Sequence, residues 1–392
     1  MNEYYADLHV HIGATETGKA VKITASKNLT LENILIEASD HKGIDIVGII
    51  DSHVPEVQSE LKRMIQHGEA SELTDGGIRY RNTTLLLGTE LEIYDPYCQG
   101  PVHILAYFPY IQNMERFTEW LKNCMKNITL SSQRVYVHGK ALQEAVKKEC
   151  GLFIPAHIFT PHRSMYGSGV RKSLAEIFNP DQIDAVELGL SSNTEMADGI
   201  SELHRYPYVS NSDAHSLPKI AREYQKMKME HPSFQEFVKV LKKKEGREIT
   251  ANYGLNPFLG KYYLTTCESC GIPRPDPEEP CPHCGKSRVI KGVSKRIAEL
   301  TDSRKRIAPE RPPYIHQIPL QFIPGIGPKT LQRLKEAFGT EMKVLHETEY
   351  DELIGIISQK TADFIIAARN GTLALKAGGG GTYGKVEQKA HP

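Results

Sequence analysis

This chain lacks long apolar runs, a leader-like start and an excess of either charge. No stretch of about 18 apolar residues, the length of a helix crossing a bilayer core, occurs in it, so no membrane partner is expected. The opening residues, Met1-Asn2-Glu3-Tyr4-Tyr5, are not the basic-then-apolar pattern of a secretory signal, and a cytoplasmic location is the default expectation. Lys and Arg together number 48, as do Asp and Glu, so whole-chain charge says nothing about partners until it is divided along the sequence. Seven cysteines, an odd total, argue against a disulfide framework. There is no G-x-x-x-x-G-K-[ST] phosphate loop, no clear Ser/His/Asp or Cys/His nucleophile arrangement and no internal repeat. The single tryptophan, Trp120, lies in an amphipathic segment and reads as core rather than as a base-stacking surface.

What is present is a series of short stretches ending in histidines or carboxylates, most of them after an apolar, strand-like run. They are Asp7-Leu8-His9-Val10-His11, Gly48 to His53, Gly88-Thr89-Glu90, Pro101-Val102-His103-Ile104, Ile154 to His157, Val186-Glu187 and Ser212-Asp213-Ala214-His215. Each alone is weak, because a histidine pair on one strand face is often an ordinary surface or core feature. Together they are what a cup of metal ligands at a barrel rim would look like, since imidazole and carboxylate suit Zn²⁺, Mn²⁺ or Fe²⁺. Residues 1–255 alternate strand-like and helix-like segments, with helices expected over 31–38 (capped by Thr30), 114–127 and 139–149. Such alternation implies a mostly parallel sheet, open or closed, whose functional groups collect at the C-terminal strand ends.

Downstream the pattern changes. Cys267-Glu268-Ser269-Cys270 and Cys281-Pro282-His283-Cys284 place four thiols at the spacing of a closed structural Zn²⁺ shell, in a module assigned to 256–292. Between Lys286 and Arg311 nine Lys/Arg stand against three acids, a local excess of six positive charges that is either a solvated face or a phosphate-binding stripe. A helical unit within 293–371 is expected to have helices over 329–338, 350–358 and 361–368. It opens on Phe322-Ile323-Pro324-Gly325-Ile326-Gly327-Pro328-Lys329-Thr330, which resembles a helix-hairpin-helix. There Gly325 and Gly327 would permit the tight turn, while Lys329, Thr330 and Arg333 would face DNA phosphates; an ordinary helix–helix turn is the bland alternative. The loop Phe159 to Gly169 could contact a base or simply pack, and the Gly-rich segment 372–392 is expected to be disordered.

The order of the His- and acid-bearing motifs resembles the PHP (polymerase and histidinol phosphatase) superfamily. That resemblance implies a distorted (β/α)7 barrel with a multinuclear metal site. His9, His11, Glu90 and Asp213 match ligands of one metal, and Glu90 matches the carboxylate bridging to a second held by His103 and His157. His53 and His215 match ligands of a third. Two departures stand out. Only Glu16 follows the His-x-His where the family carries His or Asp, and Asp51-Ser52-His53 replaces the usual Thr-Asp-His.

With the four-Cys module and the hairpin behind it, the chain resembles the endonuclease Q family in particular. This implies two or three divalent metals (Zn, Mn, Mg or Fe) in the barrel and one structural Zn. It also implies a DNA repair activity that nicks duplexes 5′ of deaminated bases (uracil, hypoxanthine, xanthine) and abasic sites, with His9, His11, Glu90 and Asp213 at the catalytic centre. Replication or repair proteins are further candidate partners. The rivals are a small-molecule phosphatase of the histidinol-phosphate type and a non-catalytic DNA-binding protein.

Overall fold

The computed structural model describes residues 1–274, 278–302, 308–370, 372, 375–376 and 385–386. Three strands, Asn2–Val10, Ile46–Ile49 and Thr83–Ile93, run parallel side by side. Val102–Phe108 then pairs antiparallel with Thr83–Ile93, and Leu152–Pro155 pairs antiparallel with Val102–Phe108. Two short parallel strands, Val186–Glu187 and Tyr208–Val209, complete the circuit. Asp184 N–H donates to Phe153 O at 3.0 Å on one side, and Ala214 N–H donates to His9 O at 3.1 Å on the other. These seven strands form the expected distorted barrel.

Its walls explain the apolar runs in the sequence. Leu85 and Leu87 pack towards the surrounding helices. Leu86 faces inward with Leu105, Tyr107, Leu152 and Ile154, and Phe234 and Phe237 of the helix Phe234–Leu241 join that inner cluster. Strands buried on both faces read as continuous hydrophobic runs rather than as alternation.

One strand departs from the parallel expectation, with consequences for the site. Because Val102–Phe108 is reversed, its beginning, not its end, lies at the rim, which is how His103 reaches the cup. The helices start and stop a few residues from their expected bounds. Ile111–Lys122 precedes the expected 114–127, and Leu31–Ile36 passes into a wider turn over Glu37–Lys42. Thr30 caps Leu31–Ile36 as expected, its hydroxyl accepting from Asn33 N–H.

The first strand serves two structures. Its C-terminal half closes the barrel, while its N-terminal half pairs with Tyr224–Met229, which leads outward to Glu248–Gly254 and Tyr314–His316. Four helices follow: Pro328–Phe338, Glu341–His346, Tyr350–Ile356 and Gln359–Arg369. The short Glu341–His346 helix was not expected from sequence, and it carries the docking contacts. His346 Nε2 accepts from Tyr224 Oη at 2.7 Å, and the His346 ring stacks on Tyr5 with centroids 4.9 Å apart. Lys42 Nζ meets Glu341 Oε2 at 2.9 Å in a nearly dry interface. Next to it Gly43 has φ +78°, and a Cβ there would stand 2.4 Å from Thr340 Oγ1.

The basic block after the cysteines is divided. Arg296 donates to the carbonyls of Tyr166, Val170 and Arg171. Arg311 donates to Tyr206 O and Leu203 O, pairs with Asp198 and lies over the Tyr208 ring. These two arginines fasten the chain to the barrel, which narrows the phosphate-stripe reading. Arg304-Lys305-Arg306 lie outside the described residues. So does most of the segment expected to be disordered, although Leu375–Lys376 pairs antiparallel with Lys385–Val386.

Breaking a buried ion pair leaves the surviving charge unpaired, at about 3–5 kcal/mol, whereas replacing both members by apolar groups is close to neutral. Lys42→Met should therefore cost roughly 3 kcal/mol in urea unfolding. The double variant Lys42→Met/Glu341→Leu should recover most of that loss; no recovery would mean that the pair is not what holds this interface.

Candidate metal centre

The cup is built around Glu90, held in place where its N–H donates to Ile50 O at 2.8 Å. Its Oε1 lies 2.8 Å from His103 Nδ1, 3.3 Å from His157 Nε2 and 3.6 Å from His9 Nε2. Its Oε2 lies 3.6 Å from His11 Nε2. Asp213 Oδ1 stands 3.5 Å from each of His9 Nε2, His11 Nε2 and His215 Nδ1.

Three donor groups follow from these positions: His9, His11 and Glu90; His11, Asp213 and His215; and Glu90, His103 and His157. Within each, the candidate ligand atoms lie within 4.8 Å of one another.

Unused nitrogens test whether a metal fits. His9 Nε2, His11 Nε2 and His103 Nε2 are buried without a hydrogen-bond partner. The separations of 3.5–3.6 Å from His9 and His11 to both carboxylates exceed a hydrogen bond. They match the edge of about 3.4 Å between two ligands bonded at about 2.1 Å to one tetrahedral ion. The donor set therefore fits divalent cations.

The other ring nitrogens are spoken for. His9 Nδ1 faces Glu187 Oε1 at 3.0 Å, and Glu187 also accepts from Asn211 Nδ2 and from His157 N–H. His11 Nδ1 is 3.2 Å from Asp51 Oδ2 and 3.1 Å from Ser131 Oγ. His157 Nδ1 is 3.1 Å from Thr160 Oγ1, and His215 Nδ1 is 3.0 Å from Asp213 O. Such partners fix ring orientation and leave Nε2 of His9, His11 and His157 to face the cup.

The electrostatics point the same way. Burial would raise the Glu90 carboxyl, yet His103 and Lys22 hold it well below the usual range. Asp213 is likewise held down against burial by His9, His11 and His215. Burial opposes charge on His9, but Glu187 and Asp213 outweigh it and push that imidazole up to about 10. Burial instead holds His103 down and lowers His215 to about 4, so ionised carboxylates stand beside neutral imidazoles, a donor set that suits metal ions. Strained backbone occurs here too: His157, Asp213 and Ser132 have φ of +29°, +46° and +54°.

The four cysteines also converge. Cys267 Sγ lies 3.5 Å from Cys284 Sγ, and Cys270 Sγ lies 3.6 Å from Cys281 Sγ. The two turns repeat one geometry: Gly271 N–H donates to Cys267 O and Gly285 N–H to Cys281 O, with φ near +72° and +71°. Backbone N–H groups of Cys284 and His283 bring the Cys281 thiol down to about 6, and those of Cys270 and Ser269 lower Cys267. Four sulfurs brought together on two matched turns fit one further metal ion.

No family model matches the chain. It is 58% identical to the uncharacterized protein YqxK of Bacillus subtilis, over 99% of this chain and 100% of that one. It is 39% identical to the uncharacterized protein MJ0043 of Methanocaldococcus jannaschii, over 59% of this chain and 31% of that one. Its structure is similar to that of the lesion-specific endonuclease PfuEndoQ from Pyrococcus furiosus, with a TM-score of 0.85 and 31% identity over 98% of this chain and 95% of the other. The chain belongs to the endonuclease Q family. An endonuclease Q in complex with a 27-mer duplex substrate, with an abasic lesion at its active site, matches at TM-score 0.84 and 31% identity over 98% of this chain and 96% of that one. As a member of the endonuclease Q family the protein is a metal-dependent endonuclease.

The structure treats the expected residues unequally. His9, His11, Glu90, His103, His157, Asp213 and His215 share the cup, and Cys267, Cys270, Cys281 and Cys284 share the second cluster. His53 does not join. It is buried, but Nδ1 lies 2.8 Å from Thr89 Oγ1 and Nε2 lies 3.3 Å from Leu130 O, so both nitrogens are spent. Asp51 acts as an acceptor behind His11 rather than as part of the cup. Glu16 pairs with Arg63 instead of facing the histidines. The Phe159–Gly169 loop packs through Phe159, Met165 and Tyr166, while His162 and Arg163 are exposed at the cavity.

Gly325 has φ +91° and abuts Thr361, so the Ile323–Gly327 turn sits against the start of Gln359–Arg369. Lys329 is exposed, Thr330 half-buried, and Arg333 donates to Ile356 O, tying adjacent helices together. Three contributors had no assigned role in the sequence reading: Glu187, Lys22 and the Ser131-Ser132 pair. Only Glu187 carried a signal, as the end of an apolar run.

Glu187→Gln should weaken metal binding by about 10–100-fold in titration calorimetry while the fold persists, because the His9 ring loses the charge of its orienting partner. Unchanged affinity would show that Glu187 is only a packed acid. Cys267→Ser should remove one metal per chain and lower the melting temperature; unchanged metal content would count against the four-Cys site.

Proposed function

We propose that this protein is a DNA repair endonuclease that nicks duplexes 5′ of deaminated bases (uracil, hypoxanthine, xanthine) and abasic sites. The observation that carries the reading is the pair of orphaned nitrogens, His9 Nε2 and His11 Nε2, aimed together at Glu90 and Asp213. His9, His11, Glu90 and Asp213 would hold one divalent ion, Glu90, His103 and His157 a second, and the four cysteines a structural Zn²⁺. Bound divalent ions supply Lewis acidity, acidifying a water and stabilising charge on phosphoryl oxygens.

The remaining work falls to the chain's own groups. The cup opens into a cavity of about 440 Å³, lined beyond the histidines by Arg163, Lys219, Tyr262 and the Gly189–Ser191 backbone. Cationic side chains there would bind backbone phosphate, while the Tyr262 ring and the main chain offer stacking and hydrogen bonds to an extruded base. A mispaired or missing base costs least to extrude, which favours lesions over intact pairs. The Pro328–Phe338 helix starts without a side-chain cap, so its first N–H groups, with Lys329 and Thr330, suit a helix-hairpin-helix contact to duplex backbone. The small-molecule phosphatase reading has no use for this unit or for the cysteine module.

End-labelled duplexes carrying uracil, hypoxanthine, xanthine, an abasic site or no lesion, incubated with Mg²⁺ or Mn²⁺, test the proposal. The expected product ends immediately 5′ of the lesion, and the intact duplex stays whole. His9→Ala and Asp213→Ala should abolish nicking with duplex affinity little changed. Lesion-independent cutting, or nicking that survives either substitution, would overturn the reading.

A further inference from the structure

Of the ligands the family resemblance implies for a third metal, His215 stands with His11 and Asp213, two residues already shared with the first ion, but His53 spends both ring nitrogens elsewhere and Glu16 is paired with Arg63. What does reach Glu90 from that direction is a lysine. Lys22 Nζ lies 3.2 Å from Glu90 Oε2 and 2.5 Å from Ser132 Oγ, and its side chain is only 13% exposed. It borders the same cavity as His103, His157, Asp213 and His215.

Its position is built rather than incidental. Lys22 N–H donates to Ile12 O at 2.9 Å, directly after His11, and Val21 O accepts from Ser131 N–H at 3.0 Å. Ser132, with its left-handed backbone, donates to the same Glu90 oxygen that Lys22 contacts. Two of the ammonium's three donors are thus committed, and one remains for a ligand in the cavity.

We propose that Lys22 is a fixed cation standing in for the third metal, so that the barrel takes two divalent ions, and that its ammonium contacts a phosphoryl oxygen of the cleaved diester. The inference rests on the proposed metal-dependent cleavage. Charge balance supports it. Four carboxylates, Asp51, Glu90, Glu187 and Asp213, lie within 3.6 Å of the ring nitrogens, and Lys22 is the ammonium among them. That leaves three negative charges, which two divalent ions and one phosphodiester anion neutralise. A third divalent ion would add two positive charges to a cavity already lined by the cationic Arg163 and Lys219, which opposes its binding. A preset ammonium also needs no reorganisation as charge grows on the phosphoryl oxygens.

The test is metal content together with cleavage. Full-length protein dialysed against Mn²⁺ and Zn²⁺ should hold three metals per chain by plasma mass spectrometry, two in the barrel and one at the cysteines. Lys22→Met should keep that count and bind lesion duplex within about threefold of wild type. Its single-turnover nicking should fall roughly 100-fold, the scale of losing one charge-stabilising donor. Lys22→Arg should regain part of the rate. Four metals on the wild-type chain, or wild-type nicking by Lys22→Met, would overturn the proposal. Should Lys22→Met fail to fold, the wild-type metal count still decides. Failure of the wild-type protein to nick any lesion would instead overturn the functional reading, leaving the count as a separate result.

Discussion

A single buried carboxylate, Glu90, is the constraint on which this structure depends. Its two oxygens face four histidines and one lysine. An ionised carboxylate in a protein interior is costly unless paired. Holding it ionised requires that the surrounding groups arrive from several directions at once, and the barrel supplies those directions. His9 comes from the first strand and His11 from just past its end, His103 from the reversed strand, His157 from just past Leu152–Pro155, and Asp213 from the turn that closes the circuit. Glu187 and Asp51 stand behind the rings and fix them.

The remainder of the chain positions that cup without entering it. Arg296 and Arg311, residues of an apparently open basic block, are consumed in tying the downstream segment to the barrel. The helical unit docks through Lys42–Glu341 and the His346 ring set among tyrosines. Its position relative to the metal centre is therefore fixed by buried contacts rather than by a flexible linker. Such rigidity would suit the duplex contact proposed for this unit.

Much of the site was legible in the sequence because its ligand types follow apolar runs, as in Glu90 and His157, or alternate with apolar residues, as in His9 and His11. The metal-dependent class and the barrel followed from that pattern and from the family resemblance. What was not legible depends on three-dimensional direction. Nothing in Val102–Phe108 announces that it runs backwards, although its histidine still reaches the rim. His53 sits in a motif of the right composition, but Thr89 and the Leu130 carbonyl claim its nitrogens, and neither is near in sequence. Lys22 ends no strand, and its role exists only because the Ser131-Ser132 turn closes over it from more than 100 residues away. The short Glu341–His346 helix was too brief to show a period, yet it carries the helical unit's buried docking contacts.

The most direct test of the central claim is anomalous diffraction from crystals of the Mn²⁺-loaded protein. Two barrel peaks are predicted, one among His9, His11, Glu90 and Asp213 and one among Glu90, His103 and His157, with Lys22 occupying the third position. No peak within bonding distance of Glu90, or a peak bound by His53, would contradict it.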